Sequence, residues 1–239
     1  MMFVLVHGGG CDRRCWGPLL PHLDGEVVAV DLPGRGDRPA PLEQLHVADF
    51  VDSVVAELEA RDLHDVVLVG HSLAGITLPG VAARVPDRVA QLVFVSCAIP
   101  EPGTSVLEAL GSFSPATAEV AAQIGDDILT ETGTLHPDLA RAMFCNDMDE
   151  EQFAFTMSVM VPESFSIVSE QLGSTGLPTS VPTTYVRLLQ DASLSLATQD
   201  EMLARLGDPA VVDLDSGHMA MVTRPAALAA ILNRIAASS

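Results

Sequence analysis

The apolar run Val66-Val67-Leu68-Val69 passes without a break into Gly70-His71-Ser72-Leu73-Ala74-Gly75, and the reading of this stretch, VVLVGHSLAG, decides the fold. Four β-branched or aliphatic residues in a row suit a strand buried on both faces. The small residues that follow suit a tight turn. Leu73 to Arg84 then reads as a small-residue helix that ends before Pro86. Strand, turn and helix place Ser72 on a sharp bend, where small neighbours let the backbone curve and a substrate approach. A serine so placed is either a turn residue or a nucleophile. At the start of a helix it would sit beside amide groups that favour developing negative charge. The stretch departs from a G-x-S-x-G pattern only at Ala74, a methyl that fits if the helix stands slightly further from the strand.

Outward from this point the same alternation recurs. Phe3–Val6, Val27–Val30 and Leu92–Val95 are further short buried strands, and Val47 to Leu58 keeps its apolar residues near helical spacing. The pattern is that of an α/β protein. It breaks at AIPEPGTS, residues 98–105, and from there to about residue 180 helical patches are separated by Pro, Gly and acidic turns. Regular order returns with a strand at Thr183–Leu189, a helix around Thr198–Leu206, a strand at Ala210–Leu214 and a helix opened by Pro225. The expected architecture is a mostly parallel sheet with helices on both faces, formed by residues 1–100 and 181–239, with residues 101–180 inserted as a helical cap.

Composition excludes several classes of function. The net charge of -20 repels phosphate backbones and anionic membrane surfaces, so neither nucleic acid nor membrane is expected as a partner. All 12 basic residues are arginine, which removes Schiff-base chemistry and any P-loop lysine. The amino terminus enters a strand with no basic leader, and a cytoplasmic protein is expected. Cys11, Cys15, Cys97 and Cys145 lack metal-ligand spacing, so reduced thiols and no metal or other cofactor are expected. Cys11 and Cys15 stand near enough to the amino-terminal glycines to line a pocket.

Two further motifs bear on Ser72. His7-Gly8-Gly9-Gly10 ends the first strand, and glycines there can aim a backbone N–H at an oxyanion. Gly9 is the preferred donor, with Gly10 second, and the amide of Leu73 would complete a two-donor oxyanion hole. Ser216-Gly217-His218 follows the last strand. His218 there can take a proton from the serine and return it to a leaving group near neutral pH. Asp191 directly follows the strand Thr183–Leu189 and can emerge at the same sheet edge, where it would orient the imidazole. Asp213 and Asp215 compete for that role but sit too close to His218 in the chain. Asp200 belongs to the following helix. Asp31, with Gly34 and Gly36, reads as a loop-shaping carboxylate, while His7 and His71 read as supports for the site rather than proton carriers.

HGGG, DLPGRG, GHSLAG, LLQD and SGHMAM, in this order, resemble the α/β-hydrolase superfamily along essentially the whole chain. FVLVHGGG with Trp16 downstream, LVFVSCAIPEPG and GHMAMVTRP are most similar to the plant methylesterase and hydroxynitrile lyase group and its bacterial esterase relatives. The resemblance implies Ser72 as nucleophile, His218 as base, Asp191 as acid, and the amides of Gly9 and Leu73 as oxyanion donors. It also discriminates. Hydroxynitrile lyases of the group hold cyanide with a lysine just after the catalytic histidine, where this chain has Met219. Related dehalogenases and epoxide hydrolases carry aspartate in place of Ser72.

The cap holds Phe113, Met143, Phe144, Met148, Phe153, Phe155, Met157, Met160 and Phe165, which either line an adaptable apolar pocket or form the cap's own core. The expected pocket comprises Gly10, His71, Phe144, Met148, Phe153, Met157 and Met219. Arg141 is a lone candidate for gripping an anion. These readings imply a cofactor-free serine hydrolase acting on a small to medium apolar ester, thioester or lactone. The alternatives are a lyase, cyclase or decarboxylating enzyme on the same fold, or a ligand receptor. A homodimer is left open.

Overall fold

The computed structural model describes residues 1–111, 114–173 and 180–238. Among them, six strands form one parallel sheet: β1 (Met2–Val6), β2 (Glu26–Val30), β3 (Val66–His71), β4 (Val89–Val95), β5 (Thr183–Leu188) and β6 (Ala210–Leu214), in the order β2-β1-β3-β4-β5-β6. Alternation along the strands divides the core between the two faces. Val4, Val6 and Leu68 face α1 (Val47–Ala60) and α2 (Leu78–Arg84), where Phe50, Val54, Leu58 and Val81 are buried against them. Phe3, Leu5, Val67 and Val69 face the other way, toward Leu228, Leu232 and Ile235 of the carboxy-terminal helix Pro225–Ala237.

The register brings the carboxyl ends of the strands together. Val6 pairs with Gly70, His71 with Val95, Val95 with Val186, and Leu188 with Leu214. The residues that follow β1, β3, β4, β5 and β6 therefore leave the sheet at one edge, the edge at which parallel α/β sheets form ligand sites.

The helix expected from Leu73 onward is divided. A 3-10 turn runs over Ser72–Ile76, and α2 begins at Leu78 with Pro79 in its first turn. Proline has no N–H to donate and its ring would strike the carbonyl one turn back, so the α-helix restarts where proline is tolerated. Between β4 and β5, the described residues contain five helices and no sheet strand: α3 (Val106–Leu110), α4 (Pro115–Ile124), α5 (Pro137–Phe144), α6 (Glu150–Val159) and α7 (Phe165–Ser169). Phe113 lies outside the described residues. Beyond β5, α8 spans Leu196–Ala204 and starts two residues earlier than the apolar spacing predicts, because Ser195 caps it by accepting the Thr198 N–H at 3.1 Å. α9 (Ala220–Thr223) and α10 (Pro225–Ala237) follow β6. No helix among the described residues is long and apolar enough to cross a membrane.

Candidate active site

Ser72 adopts φ 51°, in the left-handed region that side chains other than glycine rarely enter. The turn is held from both sides. The Ser72 carbonyl accepts the Ala98 N–H at 3.0 Å, and a Cβ on Gly8 would lie only 2.9 Å from the Ser72 Cβ. A bare backbone at position 8 lets the loop after β1 pass over the serine. Ala74, the departure from the glycine pattern, packs over Gly70, whose Cβ would meet its methyl at 3.0 Å.

The serine hydroxyl lies 3.0 Å from His218 Nε2, and His218 Nδ1 lies 2.7 Å from Asp191 Oδ2. Both partners of Ser72 are buried. Asp191 is held as an ionised acceptor by four donors. Oδ2 takes the His218 ring and the Ser96 hydroxyl at 2.7 Å, and Oδ1 takes the N–H groups of Ser193 and Leu194 at 2.8 Å each. Burial works against its charge, but His218 and these hydrogen bonds outweigh it and keep the carboxyl below its ordinary value. Asp213 is engaged instead by Arg187, and Asp215 by the side chain of Gln190.

His71 sits behind the pair, its ring centroid 4.6 Å from that of His218 and 6.3 Å from that of Trp16. Its Nε2 must carry the proton, because it donates to the His218 carbonyl at 2.9 Å. Nδ1 is buried without a hydrogen-bond partner among the described residues. Burial first, and then the neighbouring His218, push its pKa down to about 3, so His71 stays neutral near neutral pH. His7 is likewise used for support, donating from Nδ1 to the Gly8 carbonyl at 2.8 Å and accepting the Leu32 N–H at Nε2. Asp31 accepts the backbone N–H groups of Arg13 and Asp37, which shapes the loop as expected.

A cavity of about 210 Å³ opens over Ser72. Gly9, Gly10 and Leu73 line it beside the serine, and Ala98, Val106, Leu110, Leu135, Phe144, Met160 and Leu194 are among its apolar walls. Next to it, His71, Cys11 and Met219 border a smaller recess that also touches His218. Cys15 is packed in the core instead.

Three residues expected in the pocket lie elsewhere. Met148 packs against the core, and its sulfur accepts the Thr156 hydroxyl at 3.3 Å. Phe153 lies under the Arg141 guanidinium at 3.8 Å, and Arg141 also pairs with Glu150. Met157 is on α6 away from the cavity lining. Apolar residues occur around much of α6, so helical spacing does not say which of them faces the serine. Gly10 is also committed in a way that spacing did not reveal. Its N–H donates to Glu163 Oε2 at 2.8 Å, which removes it as an oxyanion donor.

Glu163 is the charged group in this wall that sequence reading missed. Its carboxylate also pairs with Arg35, a fully buried guanidinium that lies 5.0 Å above the Phe50 ring. Burial lowers the Arg35 pKa to about 10. Ser96 was missed as well. It sits just past β4 with φ 41°, and its position beside the quoted LVFVSCAIP strand end was the available signal. Among the described residues, no cluster of three or more His, Cys, Asp or Glu side chains is placed to hold a metal ion.

Residues 3–231 match the alpha/beta hydrolase family. The chain belongs to that family. The match covers nearly all of this hydrolase, and includes Ser72, Asp191, His218 and every strand residue but Met2. Among curated relatives it is similar to methylesterase 9 of Arabidopsis thaliana, at 28% identity over 98% of this chain and 97% of the relative. Polyneuridine aldehyde esterase of Rauvolfia serpentina is 28% identical over 93% of this chain and 90% of its own length. Among solved structures, the hydrolase superposes on an extracellular alpha/beta-hydrolase from a Paenibacillus species with a TM-score of 0.81, at 24% identity and 98% coverage of each chain. That likeness speaks to the fold.

Proposed function

We propose that this hydrolase is an esterase that cleaves a small to medium apolar ester through an acyl-enzyme on Ser72, with thioesters and lactones as chemical equivalents. The observation that carries the reading is the unbroken hydrogen-bond chain from Ser72 Oγ through His218 to Asp191, set at the floor of an apolar cavity. The names of the curated relatives, a methylesterase and an aldehyde esterase, favour the ester among the three. At about 210 Å³ the cavity is smaller than the roughly 300–1,000 Å³ of sites for drug-sized ligands, which favours a small acyl or alcohol part.

In this mechanism Ser72 Oγ attacks the carbonyl carbon while His218 Nε2 takes its proton. Asp191 keeps the imidazole turned toward the serine and stabilises its cation. The carbonyl oxygen, now negative, is held by the amides of Gly9 and Leu73. Collapse expels the alcohol, which takes the proton from His218, and water then releases the acid by the same steps in reverse. Residues 101–180 act as the cap that gives the site its apolar walls.

The test is intact mass after incubation with a fluorophosphonate, with Ser72→Ala as control. A single adduct that vanishes in the variant, and loss of ester turnover in a variant that melts like the parent, are the expected results. Full ester turnover by Ser72→Ala would refute the reading.

A further inference from the structure

The last residue of α5 and the turn that follows it reach both loops that carry the partners of Ser72. Asn146 Nδ2 donates to the carbonyl of Gln190, the residue before Asp191, at 2.8 Å. Asp147 Oδ2 accepts the N–H of Gly217, the residue before His218, at 2.7 Å. The Phe144 ring lies stacked on the His218 imidazole, with centroids 5.2 Å apart and planes 29° apart. The two loops are themselves joined, since the Gln190 N–H donates to the Ser216 carbonyl at 2.9 Å.

Gly217 shows how close the approach is. A Cβ there would lie 2.3 Å from Asp147 Oδ1 and 3.0 Å from Asn146 Oδ1, so any side chain at 217 would push the stretch away. The glycine before His218 is thus required by the contact with Asn146 and Asp147.

We infer that residues 144–147 are a clamp that positions the base against the acid. The cap then does two jobs: it walls the cavity, and it holds His218 and Asp191 at the separation that proton transfer needs. Asn146 and Asp147 are positioning residues that act through the backbone on either side. This rests on the reading of Ser72, His218 and Asp191 as the catalytic groups. The physical warrant is that a charge-assisted hydrogen bond to the backbone next to the base fixes its direction, and small misplacements of a reacting group are expensive.

The test measures two things on the whole protein: the rate at which a fluorophosphonate modifies Ser72, and the downfield proton resonance of His218 Nδ1–H, identified by its loss in His218→Ala. In Asp147→Ala the limiting rate should fall about tenfold with little change in its concentration dependence. The resonance should broaden by exchange with water. Asp147→Asn keeps an oxygen that accepts the Gly217 N–H and should stay within about threefold of the parent with the resonance retained. Gly217→Ala should behave like Asp147→Ala and serves if that variant does not fold. A folded Asp147→Ala with the parent's rate and resonance overturns the clamp. If the parent itself is unreactive, the esterase reading fails, and the resonance alone then decides the clamp: broadened in Asp147→Ala supports it, unchanged refutes it.

Discussion

Replacing Ser96 with alanine removes a single hydroxyl from the site and tests how far Asp191 depends on its surroundings. The substitution keeps Cβ, so the unfavourable φ of 41° is common to both proteins and drops out of the comparison. What is lost is one of four donors to a buried carboxylate, the 2.7 Å bond to Oδ2. A hydrogen bond to a charged group contributes about 1.5–3 kcal/mol. With His218, Ser193 and Leu194 still in place, about 2 kcal/mol is the working figure. For a chain of this length that corresponds to a fall in Tm of roughly 4–8 °C near neutral pH. The sign with pH follows from linkage. The folded carboxyl titrates below its ordinary value, so its contribution is present above that value and is lost as pH falls through the folded pKa. The deficit of Ser96→Ala should therefore be largest near neutrality and shrink in acid. Differential scanning calorimetry across pH reads both. A Tm within about 1 °C of the parent at pH 7 would refute the argument, because the bond would then contribute far less than a charge-assisted one should.

Two further outcomes follow from the same site. Glu163→Ala strands the buried Arg35 guanidinium and should destabilise by about 3 kcal/mol, whereas Arg35→Met combined with Glu163→Leu should recover most of that. Denaturant unfolding checks it, and equal losses in the single and double variants would show that the pair is not acting as a pair. His71 stays neutral in the fold down to about pH 3 but takes up a proton near 6.5 when unfolded. Stability should fall by about 1.4 kcal/mol per pH unit as pH drops through that window. His71→Phe should flatten this part of the curve, and an unchanged slope in that variant would show that other groups set it.

The sheet was legible because its strands are continuous apolar runs, and a run such as Val66–Val69 has few other ways to be buried. The meeting of Ser72, His218 and Asp191 was legible for a related reason: each stands within four residues of the carboxyl end of a strand, and parallel strands in register deliver such residues to one edge. The groups that hold them were not. Ser96 looks like any serine at a strand end until the register sets it beside Asp191. Glu163 and Arg35 are 128 residues apart, and Asp147 and Gly217 are 70 apart. These pairs link the helical segment between β4 and β5 to the rest of the chain, and no local periodicity encodes that docking. The same blindness placed Met148, Phe153 and Met157 in the pocket, since the direction in which a helix presents its apolar residues depends on what it packs against.

Trp16 is the only tryptophan in the chain. It is wholly buried, its indole N–H has no hydrogen-bond partner among the described residues, and its ring meets His71 edge-on, one ring away from His218. Fluorescence excited at the red edge of the indole absorption, where tyrosine and phenylalanine do not absorb, is consequently the signal of one chromophore built in behind the candidate site. Any rearrangement around Ser72 and His218 reaches that indole through the one intervening ring. Under the proposed acyl-enzyme mechanism, acylation of Ser72 and its reversal should therefore change the emission of this indole, which stopped flow can follow on the unlabelled protein and with substrates that carry no dye.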